Sequence, residues 1–482
     1  MKRYERHADA IAQLIHSGAL RPGDRVPSVR EASRTRGISP STVFEAYYLL
    51  EAQGLIHARP RSGYYVSARL PSTAEARPAE PLPSQPAATS TGVAISDLVF
   101  EVLGLARDRD LVPLGSAFPG LELFPLDRLA RCLASGMRKL DPWNIVQSLP
   151  PGDERLRQQI ALRYGVHGTA VDVEEIIITN GAMEALNLCL EAVTQPGDVV
   201  VVESPTFYAA LQALERLNLQ ALEIATHPRD GIDLAALAEA LERQPPHQPV
   251  KACWLMPSFQ NPLGSLMPED KKRELVALLA RHQIPLIEDD VYAELHFGPQ
   301  RPPPAKAFDG TGLVMHCSSF SKSLAPGYRV GWVAAGRFAT AVQRLKLMTT
   351  LSAATPSQQA LSEYLAQGGY DRHLRALRRS LEQQQAIALA AVAAHFPPGT
   401  RVSRPEGGYF LWVELPPAVN ALDLHRLALQ QGISLAPGQI FSADQRFAHC
   451  VRINYGHPAH HRLEAALATV GQLATGLATA VA

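Results

Sequence analysis

Short apolar segments alternate with segments of helical periodicity through the middle of the chain. The apolar segments have the length of strands and lie at residues 176–179, 199–203, 221–224, 252–256, 285–288, 314–318 and 330–335. The helical segments between them lie at residues 184–193, 208–217, 234–243 and 269–282. Repeated strand and helix units of this kind predict an α/β fold, in which helices cover both faces of a mainly parallel sheet. Ligands of such folds bind at the carboxyl ends of the strands.

Charge is distributed unevenly along the chain. The 482 residues carry no net charge, so the whole chain shows no preference for a nucleic-acid partner. Residues 1–69, however, contain 11 basic and 6 acidic side chains, which leaves a charge of +5 there and −5 elsewhere. A small basic module attached to an acidic body is expected when only that module contacts phosphate.

Cysteine usage and hydropathy indicate the cellular setting. The five cysteines are odd in number, lie far apart and form no CxxC pair: Cys132, Cys189, Cys253, Cys317 and Cys450. They predict reduced core thiols and a cytoplasmic protein without disulfides. The 16 histidines include no HExxH motif, so we expect no metal site. No apolar run approaches the ~20 residues of a membrane span, so we expect no membrane association.

The N-terminal residues carry signals for short helices followed by a hairpin. Residues 4–17 are amphipathic, Ser28 and Glu31 have the spacing of a capping box, and Ser39 with Pro40 begins a further helix. Two short helices joined by a glycine-containing turn predict a helix-turn-helix. Two strand-like segments then flank a basic turn at residues 59–63, which predicts a wing.

A lone lysine follows the apolar segment that ends near residue 318. Lys322 stands beside Ser321, two residues after Phe320, and Arg329 follows at a short interval. A lysine at a strand end can form a Schiff base with an aldehyde cofactor, and Ser319, Ser321 and Arg329 could hold a phosphate of that cofactor. Taken alone, the same residues suit a solvated lysine in a serine-rich turn better than a cofactor site.

The lysine segment is similar to the lysine motif of pyridoxal-phosphate aminotransferases of fold type I. Supporting motifs extend over about residues 110–460, and with the N-terminal module the whole chain resembles the MocR-type regulators of the GntR superfamily, in particular their YdcR-like branch. The resemblance implies a fold-type I pyridoxal-phosphate-dependent transferase domain behind an N-terminal winged helix-turn-helix domain. It also implies a homodimer, because relatives build each cofactor site from two subunits.

This resemblance divides the chain into three parts. We expect a GntR-type winged helix at residues 1–68, a Pro/Ala-rich linker at 69–92 and an aminotransferase-like domain at 93–482. Within the last, we expect a large lobe at about 151–355 and a C-terminal small lobe at about 356–482.

The resemblance also implies roles for individual residues. Lys322 corresponds to the lysine that forms the internal aldimine with pyridoxal 5′-phosphate, and Asp289 to the partner of the pyridine nitrogen. A buried carboxylate is costly unless a cation pairs with it, and a protonated pyridine is such a cation. Tyr292 and Asn261 correspond to ligands of the ring oxygen. Phe207 corresponds to the residue that stacks on the ring, although core packing is an equal alternative.

The remaining correspondences concern anions. Gly181, Ala182 and Met183 match the phosphate loop, together with Ser319, Ser321 and Arg329. Arg452 matches the arginine that binds a substrate α-carboxylate, with structural ion pairing as the competing interpretation. Gln147 stands where many relatives have a tyrosine that reaches the partner's phosphate, which is a departure from the family pattern.

In the N-terminal module the resemblance implies DNA contacts. Arg30 corresponds to a phosphate contact, and the hydroxyls correspond to contacts with bases or phosphates: Ser39, Ser41 and Thr42. The wing tip, Arg61, Ser62 and Gly63, corresponds to the part that reaches the minor groove. Some relatives carry arginines where Pro40 and Phe44 stand in this chain.

These features favour a regulator of transcription that binds a double-stranded DNA operator. Such a protein would hold pyridoxal 5′-phosphate on Lys322 and sense a small amine, an amino acid or the cofactor itself. The alternative is an active aminotransferase acting on an amino acid, with a secondary DNA-binding module. A third interpretation, a DNA-binding protein with an empty scaffold, is disfavoured by the presence of Lys322, Asp289 and Arg329.

Overall fold

A computed structural model of the chain separates into two compact units. They comprise Met1–Arg77, called here the N-terminal module, and Pro78–Ala482, called the body. The structure describes residues 3–16, 20–21, 23–52, 55–59, 63–66, 78–105, 111–245, 248–457 and 460–480.

The N-terminal module is a winged helix. Its elements are α1 (Arg3–His16), α2 (Val29–Arg36), α3 (Pro40–Ala52), β1 (Ile56–Arg59) and β2 (Gly63–Val66). The predicted capping box is present, since Ser28 accepts from the Glu31 amide and the Glu31 side chain accepts from the Ser28 amide. Gly37 ends α2 in the left-handed conformation. The buried face of α3 closes the core with Val43, Ala46, Tyr47 and Leu50, and β1 pairs antiparallel with β2.

The helices of the body are α4 (Ser96–Leu105), α5 (Leu126–Arg138), α6 (Pro142–Gln147), α7 (Glu154–Val166), α8 (Ala182–Val193), α9 (Tyr208–Arg216), α10 (Leu234–Arg243), α11 (Glu269–His282), α12 (Ala339–Thr349), α13 (Thr355–Ala366), α14 (Tyr370–His395), α15 (Ala421–Gln430) and α16 (His460–Ala480).

The strands of the body are β3 (Thr91–Gly92), β4 (Val112–Pro113), β5 (Ile176–Thr179), β6 (Val199–Ser204), β7 (Gln220–His227), β8 (Gly231–Ile232), β9 (Val250–Leu255), β10 (Leu286–Asp289), β11 (Val314–Ser319), β12 (Gly331–Ala334), β13 (Arg401–Val402), β14 (Phe410–Glu414), β15 (Ile433–Ser434), β16 (Ala436–Pro437) and β17 (Cys450–Asn454).

The main sheet has the order β3-β7-β6-β9-β10-β11-β12-β5, with β8 paired to β7. Strands β7, β6, β9, β10 and β11 run parallel, whereas β12 is antiparallel to both β11 and β5. Alternate residues of β6 enter different cores: Val200 and Val202 pack in one with Leu211 of α9, and Val199 and Val201 in another with Leu275 of α11. Helices therefore cover both faces, which confirms the predicted fold class.

The C-terminal part of the body contains a smaller antiparallel sheet of order β13-β14-β17-β16. Helices α14 and α16 pack against each other beside it. The short strand β4 pairs with β15, so residues 112–113, far upstream in the sequence, join this part of the fold. Position in the sequence alone therefore did not predict all of its members.

Residues 78–92 differ from the predicted linker, because they belong to the body. β3 pairs with β7, the Ser84 hydroxyl donates to the Ser204 carbonyl at 2.5 Å, and Ala79 forms a bridge with Arg401. Backbone groups of this segment form their hydrogen bonds with the edge of the body. The prolines and the lack of periodicity in the sequence did not indicate this packing. The rest of the predicted linker, residues 69–77, lies outside the described residues.

Among the described residues, no helix has the length and apolar character needed to cross a bilayer.

Candidate functional site

The candidate site lies at the carboxyl ends of the central parallel strands, where the fold predicts it. Asp289 is the last residue of β10, and Lys322 follows β11. Gly181 precedes α8, and Phe207 precedes α9 after β6. Arg452 comes from β17 of the smaller sheet, so both sheets contribute to the site.

The amine of Lys322 is half-buried beneath the loop that precedes α5. Its Nζ donates to the Ala117 carbonyl at 2.7 Å and lies 3.9 Å from the centroid of the Phe118 ring. Burial, together with the nearby cations of Arg452 and Arg329, lowers the pKa of Lys322 to about 7 against the attraction of Asp289. A large part of this amine is therefore neutral near pH 7 and able to act as a nucleophile.

Asp289 is a buried carboxyl with an unsatisfied oxygen. It is 1% exposed, and its Oδ1 has no hydrogen-bond partner among the described residues. Burial, and then the neighbouring charge of Asp290, raise the pKa of Asp289 to about 7, against the attraction of Lys322. None of the described residues forms an ion pair with this carboxyl, and a protonated ring nitrogen would supply the missing cation.

Asp290 has different surroundings, although it is also buried. Its Oδ2 accepts from Arg301 at 2.6 Å and contacts His316 Nε2 at 2.8 Å. Burial acts to raise the pKa of Asp290, but Arg301 and then His316 outweigh it and the pKa is lowered. Asp290 Oδ1 also has no hydrogen-bond partner among the described residues, but the ion pair of Oδ2 with Arg301 makes Asp290 a structural carboxylate, the interpretation that the sequence also favoured.

Arg452 is fully buried without an acidic partner. Its guanidinium donates to the carbonyls of Gly115 at 2.6 Å and Ser116 at 3.1 Å and to Asn261 Oδ1 at 3.1 Å. It packs over Phe410, 4.3 Å from the ring centroid. No carboxylate of the described residues forms an ion pair with it, so the structure gives no support to structural ion pairing. A buried guanidinium of this kind suits an incoming carboxylate.

The predicted phosphate-binding residues converge on the N-terminus of α8. Arg329 donates from Nη2 to the Asn180 carbonyl at 3.0 Å and lies 3.5 Å from the Ser321 hydroxyl through Nη1. Ser319 and Ser321 are buried beside it. Ala182 and Met183 form the first turn of α8, and the free amides of a helix N-terminus favour an anion.

Gly181 is required by this arrangement. Its φ is +81°, and a Cβ atom at this position would lie 2.5 Å from Arg329 Nη2. The close approach continues behind it, because a Cβ at Gly331 would lie 2.5 Å from the Gly181 carbonyl carbon. Side chains at either position would push the arginine or the loop out of place.

Aromatic side chains and an amide enclose the remaining space. Tyr292 is buried with its ring 5.5 Å from that of Tyr409, and Phe207 lies 4.9 Å from the ring of Tyr208. Asn261 is buried, and its Nδ2 has no partner among the described residues. The unsatisfied amide donor and the unsatisfied Asp289 oxygen are polar groups that need a ligand.

The sequence did not predict that the loop at residues 115–118 belongs to the site. Its carbonyls contact both Lys322 and Arg452, and Asn454 Nδ2 holds it by donating to the carbonyls of Ser116 and Phe118. The sequence Gly-Ser-Ala-Phe-Pro-Gly indicates a turn but not where the turn packs. Nor did the sequence predict the position of Glu184, which accepts from the Asn180 amide at 2.6 Å and from Lys346 at 2.8 Å behind the phosphate loop.

The residues present fit pyridoxal 5′-phosphate. The anion-binding turn suits its phosphate, the unpaired Asp289 suits its ring nitrogen, and the unsatisfied Asn261 amide suits its ring oxygen. Lys322 would supply the amine for its aldehyde. This fit rests on groups that protein partners leave unsatisfied.

The predicted DNA contacts on the N-terminal module are accessible where the structure describes them. Arg30, Ser39, Ser41 and Gly63 are exposed, and Thr42 is partly buried. The hydroxyl of Ser39 lies 2.9 Å from that of Ser41 and 2.8 Å from that of Thr42, at the start of α3. Arg61 and Ser62 lie outside the described residues.

Each of the two units matches a known protein family. Residues 137–469 match the family "Aminotransferase class I and II", and residues 3–66 match "Bacterial regulatory proteins, gntR family". The uncharacterized HTH-type transcriptional regulator YdcR of Escherichia coli is 47% identical over 473 residues, covering 98% of this chain and 99% of the relative.

Two aminotransferases are similar to about four fifths of the chain. The 2-aminoadipate transaminase of Thermus thermophilus is 31% identical over 389 residues, covering 79% of this chain and 94% of the relative. The solved structure of LysN, the alpha-aminoadipate aminotransferase of Thermus thermophilus complexed with N-(5′-phosphopyridoxyl)-L-leucine, has a TM-score of 0.72 and 28% identity, covering 80% of this chain and 100% of that one. A gntR-family winged helix thus precedes an aminotransferase class I and II domain along a full-length relative, and the chain belongs to the MocR-type regulators of the GntR superfamily.

Proposed function

We propose that this protein is a DNA-binding regulator of transcription whose body binds pyridoxal 5′-phosphate at Lys322 and senses an amine or amino acid. The observation that carries the proposal is a site, following a winged helix in the sequence, in which Asp289 keeps an oxygen without a partner and neither Lys322 nor Arg452 forms an ion pair with a carboxylate of the described residues. Pyridoxal phosphate supplies two features: an aldehyde that combines reversibly with amines, and an electron-withdrawing ring.

The residues of the chain would hold this cofactor from several sides. Gly181, the first turn of α8 and Arg329 would bind the phosphate, Asp289 would hold the proton of the ring nitrogen, and Asn261 with Tyr292 would orient the ring oxygen. Phe207, beside the turn into α9, would pack on the ring. Lys322, with its lowered pKa, would supply a neutral amine.

Arg452 supports an amino acid as the effector. Its guanidinium is buried, packs over Phe410 and is held by carbonyl oxygens rather than by a carboxylate. An effector carboxylate would exchange weak carbonyl partners for a bidentate ion pair. We therefore propose an effector that carries a carboxylate and an amine, and a double-stranded DNA operator as the second partner.

We also propose a homodimer. Helix α6 carries three apolar side chains whose exposure is high, with Trp143 at 72%, Ile145 at 56% and Val146 at 52%. The chain then returns to the sheet edge beside the site, where the Ile178 amide donates to the Pro151 carbonyl at 2.8 Å. A contiguous apolar surface next to the site suits contact with a second subunit.

The proposal is tested by absorbance spectroscopy and DNA selection on the purified protein. Pyridoxal phosphate bound to the wild type is expected to show a band above 350 nm wavelength, roughly where its imines absorb, and Lys322→Ala is expected to lose it. Selection from a random duplex library is expected to enrich a defined sequence. A protein that binds neither the cofactor nor any DNA sequence would contradict the proposal.

The second candidate function is an active aminotransferase. The observation that favours it is the low pKa of Lys322, about 7, which lets the amine exchange protons near neutrality. Gln147, exposed at the end of α6, differs from the tyrosine of many aminotransferases. Steady production of an oxo acid from an amino acid and a second oxo acid, with DNA binding indifferent to both, would favour the enzyme.

A further inference from the structure

The recognition helix α3 exposes an unusual set of side chains. Ser41, Phe44, Glu45 and Tyr48 lie on one exposed face, at the i, i+3, i+4 and i+7 spacing of a helical stripe. Phe44 is 41% exposed and Tyr48 is 58% exposed, whereas Tyr47, which precedes Tyr48 on the opposite face of the helix, is fully buried. The stripe is therefore partly aromatic, on the helix that a winged helix places in the major groove.

The two aromatic side chains support each other. The rings of Phe44 and Tyr48 are stacked, with centroids 6.3 Å apart and an interplanar angle of 26°. Phe44 is the fifth residue of α3, one turn after the hydroxyl cluster formed by Ser39, Ser41 and Thr42. The N-terminal part of a recognition helix contacts base edges, so Phe44 occupies a base-reading position and Tyr48 fixes its ring.

The chemistry of the stripe limits what it can read. Helix α3 contains no lysine, arginine or histidine, so it lacks the cationic groups that read guanine through O6 and N7. The polar groups of the stripe itself are hydroxyls and the carboxylate of Glu45. In the major groove, an apolar ring matches one base feature, the 5-methyl group of a pyrimidine.

We propose that Phe44 reads a pyrimidine 5-methyl group in the operator, with Tyr48 as its support. This inference rests on the proposed DNA-binding function and names the chemistry of the partner. In DNA the 5-methyl group belongs to thymine or to 5-methylcytosine. Helix α2, which packs against α3, carries Arg30, Arg34 and Arg36, whose positive charge would supply phosphate contacts.

The test uses the full-length protein loaded with pyridoxal phosphate. An operator is first selected from a random duplex library, and its thymines are then replaced one at a time by deoxyuridine, which lacks only the methyl group. Affinity is measured by fluorescence anisotropy at constant salt, because phosphate contacts make binding salt-dependent. At one or two positions in each half-site the wild type is expected to bind about fourfold more weakly, the effect of one buried methyl-sized group.

Variants of Phe44 assign the effect. Phe44→Ala is expected to bind thymine and deoxyuridine equally, whereas Phe44→Leu, which keeps an apolar side chain, retains part of the preference. Tyr48→Phe keeps the stacked ring and is expected to retain all of it. Because Phe44 is not part of the buried core, circular dichroism and the melting temperature are expected to be unchanged in these variants.

Further duplexes identify the source of the methyl group. Duplexes that carry cytosine or 5-methylcytosine at the same positions are then compared. Tighter binding of the methylated duplex identifies 5-methylcytosine as an equivalent ligand, and equal binding identifies thymine as the source. Either result supports the inference. Equal binding of thymine and deoxyuridine at every position by the wild type overturns it, as does a preference that survives in Phe44→Ala. If no sequence is enriched at all, the proposed DNA-binding function fails with it.

Discussion

At the scale of single residues, Asp289 and Asp290 are neighbours with opposite surroundings. Each carboxyl keeps one oxygen without a hydrogen bond among the described residues, but Asp290 has Arg301 and His316 as partners of its Oδ2, whereas Asp289 forms no ion pair with those residues. The sequence predicted this difference, because the resemblance assigns Asp289 alone to a cofactor. It could not predict that Arg301, eleven residues later, supplies the cation for Asp290, since that pairing depends on the tertiary fold.

Substituting each carboxyl separates the two roles. Without cofactor, Asp289 has a pKa raised to about 7 from an unfolded value near 4, so its stabilising contribution is present at low pH and is lost as the pH rises through 7. Asp289→Asn is therefore expected to melt at a higher temperature than the wild type at pH 8, and to lose the stabilisation that pyridoxal phosphate gives the wild type. Scanning fluorimetry with and without cofactor measures both effects.

The matched control is Asp290→Asn, which leaves the Arg301 cation buried without its partner. This variant is expected to be less stable by about 3–5 kcal/mol, as for other broken buried ion pairs. If the two variants shift the melting temperature in the same direction, the assignment of Asp289 to the cofactor is wrong.

The pKa of Lys322 gives a prediction about pH. A neutral amine reacts with the cofactor aldehyde, so the loading rate is expected to rise with pH around a midpoint near 7 instead of the usual lysine value of about 10.4. Arg452→Ala removes a nearby cation and is expected to raise this midpoint. Stopped-flow absorbance measures the loading rate at a series of pH values from about 6 to about 9.

Arg273, an exposed arginine of α11 that pairs with Glu269, provides the control. Arg273→Ala is expected to leave the midpoint unchanged. A wild-type loading rate that does not vary across this range would show that Lys322 is not the group that titrates.

At the scale of elements, the turn between β5 and α8 shows what a sequence can predict. Strand, glycine and helix were all identified from the sequence, and the structure has β5 at the predicted residues 176–179. The sequence could not show that Arg329 fills the space above Gly181, because Arg329 comes from a distant part of the chain. The packing of residues 78–92 was missed for a related reason, since an edge partner leaves no periodic pattern.

Gly181→Ala tests this turn. The added Cβ would have both an unfavourable φ of +81° and a contact 2.5 Å from Arg329 Nη2. We expect the affinity for pyridoxal phosphate to fall on the order of tenfold or more, which equilibrium dialysis or absorbance titration measures.

Gly168→Ala is the matched control, because Gly168 has a similar φ of +76° and no heavy atom within 4 Å of an added Cβ. It carries the backbone strain, about 1–2 kcal/mol, without the contact to the site. If both variants lose the same amount of cofactor affinity, strain alone explains the effect and the role of the Gly181 contact is refuted.

At the scale of the whole molecule, the order of strands agrees with the fold class predicted from the alternation of segments. The resemblance supplied what the pattern could not, namely the function of each end of the sheet and the expectation of a second subunit. The apolar side chains of α6 support that expectation through their exposure.

Val146→Glu tests the proposed homodimer, because it places a charge within the apolar surface of α6. We expect this variant to be a monomer by light scattering at a concentration where the wild type is a dimer. Leu82→Glu, at an apolar side chain that is 66% exposed on residues 78–92, is expected to remain a dimer. A wild type that is monomeric would contradict the proposal.

A regulator that senses an amino acid must couple ligand binding in the body to DNA binding by the N-terminal module, and we propose that this protein does so. Two ligands that are coupled through one protein must change each other's affinity by the same factor. The most direct measurement is therefore a titration of the effector amino acid, followed by the absorbance of bound pyridoxal phosphate, with and without saturating operator DNA. We expect saturating operator DNA to shift the amino-acid concentration at half-saturation by a certain factor. The amino acid should change the affinity for DNA by the same factor. An identical half-saturation with and without DNA would contradict it.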